Sequence, residues 1–355
     1  MKQIKLLWLY SEVAGYLHQA MLYAVEHQPE LSFHIVRYPL NAEAPFLFEE
    51  HERIHWYNKS DFENENQLAS WVRKLNPTQI FCSGWNDRLY TKTCKTIRSE
   101  YPTTLLLDNY WENSLKQHIA SLLGPNYLKQ RFSSAWVPGQ LHVNYANKLG
   151  FKKHQVFTGL YSANVQVFNQ AFSDNQLHKK NDYPHRFLYV GRYLTLKGVK
   201  DLWGAFKLAK QQTNNDWELW MVGTGELFDE KQEHPAIKHL GFKQPNELPA
   251  LIGQSGVFVM PSHYDHWGVA VHEFAASGLP LLCSEKVGAA TQFLIQGENG
   301  YLHPIKKPKV LAKKMLHLMS LSNKELNRMG KKSHELAQTM SFNNWLKTLN
   351  ELLKK

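Results

Sequence analysis

Short apolar runs rich in β-branched and aromatic residues alternate with helical patterns along nearly the whole chain, and this alternation is what most restricts the fold. In the first half the runs are IKLLWLY, FHIV, TQIFCS, TTLLLD and SAWVP. Strands spaced by helical stretches predict a parallel sheet covered by helices. The pattern lapses at SDNQLHKKNDYPH, which carries few large apolar residues and predicts a linker over 166–184. It then restarts with RFLYVG, WELWMVG, AIKHLGF, GVFVMPS, PLLCS and NGYLHP, with helices from about Val199, near Leu248 and from about Gly268. Two α/β lobes follow, over 1–165 and 185–338. The tail beyond about Lys309 reads as amphipathic helices, and the last stretch, 339–355, can pack on either lobe or cross back to the first.

Length supports the division, because 355 residues exceed what one hydrophobic core serves comfortably and suit two domains of ordinary size. Hydrophobic residues at 43% and charged residues at 20% are those of a globular chain. The opening MKQIKLLWLYSE is cut short by Ser11 and Glu12, well below a signal-peptide core or a membrane span, and reads as a first strand. No later run reaches spanning length, so a cytoplasmic protein is expected. Cys82, Cys94 and Cys283 are far apart and lack metal-ligand spacing, so buried thiols are expected. The net charge of +10 calls for anionic partners. No zinc-finger spacing, basic heptad or RNP-like motif points to nucleic acid.

The strongest local signal is RFLYVGRYLTLKG. A strand ends at Gly191, and Arg192 and Lys197 lie on a loop that Gly198 closes into a helix. Two permanent cations at the carboxyl end of a parallel strand, beside a helix N-terminus, suit a diphosphate. Further on, GVFVMPSHYDHWGVAVHEFAASGLPLLCS sets Asp265 on a loop and Glu273 inside the following helix, with seven residues between them. Carboxylates so placed can accept hydrogen bonds from sugar hydroxyls, with Gly268 allowing close backbone approach. Capping and solvated acids are the plainer alternative. GTGELF is no dinucleotide fingerprint, since Phe228 stands where the third small residue belongs. His263, His266 and His272 form no metal-binding pattern.

Together these segments resemble the retaining GT-B glycosyltransferases of the glycosyl-transferases-group-1, glycogen-synthase-like family. The family's acid, seven residues, glutamate, Ala and Ser-Gly-x-Pro are matched by Asp265, Glu273, Ala275, Ser277, Gly278 and Pro280; its Arg and Lys pair by Arg192 and Lys197; and GTGE, GF and GENGYL follow at Gly223, Gly241 and Gly297. The resemblance implies a GT-B fold of two Rossmann-like lobes facing a central cleft, and transfer of a sugar from a nucleotide-diphosphate donor with retention and without a metal or other cofactor. It gives Arg192 and Lys197 the donor diphosphate, Asp265 the transferred sugar and Glu273 the ribose. Donor contacts fall to Gly15, Gly191, Gly223, Gly225, Phe242, His266, Trp267, Gly268 and Val269, with the backbone of 267–269 on sugar and phosphate. Asp265 replaces the more usual glutamate, and His266 and Trp267 replace a common Pro-Phe pair, which leaves the sugar open.

The N-terminal lobe matches the family less, as suits a lobe for a glycan or lipid-linked acceptor in surface polysaccharide or glycolipid assembly. Asp108 ends a strand and either orients the acceptor or caps the next helix, while Tyr110, Trp111 and Trp85 offer a sugar-stacking surface or simply core. Lys129, Arg131, Lys148, Lys152 and Lys153 form a basic face suited to an anionic membrane or phosphate-bearing acceptor. A catalytically silent GT-B subunit and a sugar-nucleotide epimerase remain as competing readings.

Overall fold

The computed structural model describes residues 3–39 and 48–354; Met1 and Lys2 of the opening stretch lie outside them. The chain divides into two compact units, one of residues up to Ser162 together with Met340 onward, the other Ala163–Thr339.

The first unit runs β1 (Ile4–Leu9), α1 (Gly15–His27), β2 (Leu31–Arg37), β3 (Ile54–Asn58), α2 (Glu65–Leu75), β4 (Gln79–Ser83), α3 (Arg88–Ile97), β5 (Thr103–Leu106), α4 (Leu115–Lys129), β6 (Ser134–Trp136), α5 (Gln140–Lys148) and β7 (Val156–Phe157). Its strands pair in parallel in the order β3-β2-β1-β4-β5-β6-β7. The continuous apolar run of β1 reflects burial on both faces: Leu6, Leu7, Trp8 and Leu9 are all fully buried. Cys82 and Cys94 are buried thiols here, and Cys283 is one in the second unit.

The second unit runs α6 (Val165–Asn181), β8 (Arg186–Val190), α7 (Val199–Lys210), β9 (Glu218–Val222), β10 (Ile237–His239), α8 (Leu248–Gly253), β11 (Val257–Met260), α9 (Val269–Ala276), β12 (Leu281–Ser284), α10 (Ala290–Phe293), β13 (Gly300–His303), α11 (Pro308–Ser320) and α12 (Asn323–Ala337). Its parallel sheet has the order β10-β9-β8-β11-β12-β13. Successive strands therefore leave β8 in one direction and β11 in the other, so the strand order reverses between them. In open α/β sheets ligands bind beyond the carboxyl ends of the strands at such a switch point.

The expected linker at 166–184 is instead α6, a helix of 17 residues. Its polar composition belongs to a solvent face. Val165, Phe168, Ala171 and Lys179 form a narrow inward stripe, and the helix packs on α8, α9 and α12. A stripe of about one side chain per turn holds this surface helix, and a search for large apolar residues overlooks it.

The last helix, α13 (Phe342–Leu353), belongs to the first unit, where it packs on α1. Trp345 enters an aromatic cluster, 6.2 Å from Trp8 and 5.2 Å from Trp136 between ring centroids, and donates its indole N–H to Leu160 O at 3.0 Å. Replacing Trp345 with Ala removes a wholly buried side chain. It should cost roughly 3–5 kcal/mol of first-unit stability, measured by urea unfolding.

Candidate active site

The site assembles at the reversal point of the second sheet from the loops that leave β8 and β11. The β8 loop carries Arg192 and Lys197, and Tyr189 on the strand donates its hydroxyl to Arg192 O at 2.8 Å, fixing the first turn. The loop ends at Gly198, which has φ 69° and serves as the N-cap of α7. A Cβ at this glycine would lie 2.2 Å from Pro261 O, so only a residue without a side chain lets the two loops meet. Beside that contact His263 N donates to Leu196 O at 2.8 Å, and the His263 imidazole pairs with Asp201 of α7 at 2.8 Å. Three interactions thus tie the cationic loop to the acidic one.

Those ties bring Lys197 Nζ within 2.5 Å of Asp265 Oδ2, with 22% and 12% of the two side chains exposed. The sequence expectation gave the two residues separate parts of a ligand; the fold pairs them. Asp265 itself is held from behind by the 286–289 segment: its N–H donates to Lys286 O at 3.0 Å, and its carbonyl accepts from Gly288 N at 3.1 Å.

The Trp267 side chain, which replaces a common Phe, turns into the protein. It is 2% exposed and sits edge-on to Phe293, 6.1 Å between centroids. Val269 is buried as well. From Trp267 to Val269 only the backbone remains to meet a ligand, and the first turn of α9 has no side-chain cap. His266 turns its ring edge-on to Tyr264 at 4.8 Å.

Glu273 lies in α9, half-buried, and no side chain among the described residues hydrogen-bonds its carboxylate. Burial alone pushes its carboxyl up from 4.5 to about 7. The next residue inward, His272, is fully buried and stacked on Phe293 at 4.3 Å. Its Nδ1 accepts from Ala163 N at 3.0 Å and its Nε2 donates to Ala337 O at 2.9 Å. Those partners admit only the neutral tautomer with the proton on Nε2. One imidazole therefore pins the start of α6 and the end of α12 to the helix bearing Glu273. The pattern of histidines in the sequence gave no sign of this role.

Gly223 and Gly225 were expected to admit a ligand. The close approach they permit is to the chain itself: a Cβ on Gly223 would meet Gly191 O at 2.0 Å, and Tyr193 N donates to Thr224 O at 2.8 Å. The GTGE turn thereby braces the Arg192 loop, aided by Glu226 accepting from Thr195 N at 3.3 Å. Gly241 O takes Gly223 N at 2.8 Å, which places half-buried Phe242 next to this turn.

In the first unit Gly15 opens α1, and no side chain caps that helix. Asp108 does not cap α4, whose N-cap is Ser114. It accepts from Tyr161 at 3.4 Å, and Tyr161 in turn meets the Tyr10 hydroxyl at 3.3 Å. Tyr110 is buried edge-on to His142 and offers no face for stacking. Trp85 and Trp111 pack partly into the core, with Lys148 Nζ 4.5 Å from the Trp111 ring. Arg131 does not join the basic face: it is 8% exposed, with its guanidinium 3.4 Å from the Tyr127 ring centroid.

Residues 170–336 match the family model described as Glycosyl transferases group 1. This segment is a group 1 glycosyltransferase domain. An uncharacterised glycosyltransferase of Methanocaldococcus jannaschii is 26% identical over 241 residues, covering 63% of this chain and 64% of that protein. The O-antigen chain mannosyltransferase B of Escherichia coli is 27% identical over 105 residues, 27% of this chain and 28% of that one. The chain thus spans less than two thirds of the length of these relatives. Among solved structures, Anabaena HepE in complex with UDP and glucose superposes with a TM-score of 0.72 at 14% identity, covering 99% of this chain and 100% of that one. The fold is GT-B, with the group 1 domain holding the Arg192, Lys197, Asp265 and Glu273 constellation.

The raised Glu273 carboxyl has a measurable consequence for stability. Its folded value of about 7 exceeds its ordinary 4.5, so the folded state holds the proton more tightly, and the penalty for burying the charge is absent below 4.5 and complete above 7. Glu273→Gln should raise the melting temperature at pH 8 by roughly 2 °C or more and leave it nearly unchanged at pH 4.5. Calorimetric scans of both proteins across this window check it.

Proposed function

We propose that the chain is a glycosyltransferase that binds a nucleoside-diphosphate sugar at the β8–β11 reversal point and passes the sugar to a glycan or lipid-linked acceptor. The observation that carries this reading is the joining of the two-cation loop after β8 to the loop after β11 that bears Asp265, just ahead of the helix that bears Glu273, at one end of the group 1 domain. Arg192 and Lys197 hold the diphosphate, where charge builds on the leaving group as the C1–O bond breaks, so their attraction is greatest in the transition state. The uncapped first turns of α7 and α9 add amide donors toward the same phosphates. Fixed cations supply the neutralisation that a divalent ion would otherwise bring, and the reaction proceeds without one. By likeness to the family, the product keeps the anomeric configuration, with the departing phosphate taking the acceptor's proton.

Glu273 takes the ribose hydroxyls and Asp265 the sugar. A half-buried carboxylate without a side-chain partner among the described residues is suited to a ligand that brings its own donors. The UDP of HepE supports a nucleoside diphosphate here, and the O-antigen mannosyltransferase supports an acceptor of the surface-polysaccharide kind.

The decisive measurement is release of nucleoside diphosphate from a panel of sugar nucleotides, with and without lipid-linked acceptors and in the presence of EDTA. Turnover should survive EDTA and fall ~100-fold or more in Arg192→Ala and in Lys197→Ala. Near-normal turnover in both folded variants would remove the reading, isomerisation of the sugar nucleotide without release would point to an epimerase, and binding without any turnover to a silent subunit.

The two acids should fail differently. At pH 8, Glu273→Gln should weaken nucleoside-diphosphate binding by about 1.5–3 kcal/mol, because the lost hydrogen bonds serve a group common to donor and product. Asp265→Asn should leave that affinity nearly intact while depressing transfer. Titration calorimetry separates them, and equal losses would show that the roles are not divided.

A further inference from the structure

The helix α4 turns a row of aliphatic side chains outward. Leu115 is 77% exposed, Ile119 51%, Leu122 80% and Leu123 71%, with Tyr127 at 38%. The spacing 115, 119, 122, 123 keeps them on one side of the helix, while Gly124 and Leu128 face the core. Isolated exposed leucines are ordinary on a protein surface; four large aliphatic residues within the nine positions 115–123 of one helix form a patch.

The charge around the patch has one sign. Between positions 109 and 160 the only acid is Glu112, against exposed Lys116, Lys129, Lys148, Lys152 and Lys153. Lys116 and Lys129 lie at the two ends of α4. The other three flank Gly150, where an added Cβ would lie 2.7 Å from Pro125 in the body of α4, so this loop presses on the helix and sets its lysines beside it. Lys148 also reaches the face of Trp111, which packs edge-on to His118 of α4 at 4.9 Å.

We infer that α4 is an interfacial element that docks the first unit on an anionic bilayer, its aliphatic side chains entering the headgroup boundary and the five lysines meeting lipid phosphates. An apolar stripe with a cationic rim has the two attractions by which surface helices hold to charged membranes, neither sufficient alone. A second copy of the chain suits the patch less, because bringing two such rims together opposes ten lysine charges to one another. Lipid binding and nucleoside-diphosphate release are read by separate assays, so either reading can fail while the other stands.

The full chain should co-sediment with phosphatidylcholine vesicles containing roughly one phosphatidylglycerol in three, and not with pure phosphatidylcholine. Binding should drop severalfold when salt rises from about 0.1 to 0.5 M, as screening shortens the reach of the lysines. The pair Leu122→Asp and Leu123→Asp should cut binding at least tenfold, and Lys152→Glu with Lys153→Glu should do so while removing most of the salt dependence. Both variants alter exposed positions, so unchanged circular dichroism and melting establish that they fold. Equal binding to neutral vesicles, or undiminished binding by the leucine pair, overturns the inference. So does a sedimenting dimer that the leucine pair dissociates in a protein that ignores vesicles.

Discussion

The approach of Gly198 to Pro261 O is the contact on which the candidate site depends. Lys197 meets Asp265 because the β8 loop lies directly against the β11 loop, and at that distance there is no room for a Cβ. The backbone bond from His263 to Leu196 and the His263–Asp201 pair then hold the two loops in register. The GTGE turn braces the same loop from the other side through Gly223 and Thr224. Side chains that must act together are thereby fixed by backbone contacts, which vary less than the reach of a lysine. Preorganisation of this kind is what makes charge stabilisation effective in a transition state.

Glu273 shows the opposite economy. A carboxylate shifted to about 7 by burial, with no hydrogen-bond donor from another side chain among the described residues, destabilises the fold at neutral pH. On the proposed reading a ligand supplies the missing donors, which the satisfied neighbours of Glu273 do not. His272 is one of these. Bonded at both nitrogens and stacked on Phe293, it clamps two chain ends to α9.

Most of the architecture was legible in the sequence because strands buried on both faces leave unbroken apolar runs, and all of those named coincide with strands or their ends. The cationic loop and the paired acids were legible for a related reason, since residue type and spacing at strand ends survive translation into space. What escaped was information carried by direction. The α6 helix resembled a linker because its inward stripe is narrow. Nothing in a sequence tells which way a side chain turns: Trp267 proves buried, and Arg131 looked exposed until the Tyr127 ring claimed its guanidinium. Gly223 and Gly225 also admit the protein's own backbone, a close approach that residue type alone does not reveal.

The Lys197–Asp265 pair bears on what kind of ligand the site favours. A partly exposed ion pair contributes about 0–1 kcal/mol, so opening it costs little, but leaving either half unpaired in a half-buried crevice costs several times that. A ligand with phosphate alone takes the ammonium and strands the carboxylate; a free sugar satisfies the carboxylate and leaves the ammonium without its anion. A molecule that presents phosphate to Lys197 and hydroxyls to Asp265 re-satisfies both groups at once. On the proposed reading the pair therefore acts as a filter: it disfavours each half of a sugar nucleotide on its own and yields to the two halves joined, because only then does every charge displaced from its partner find another.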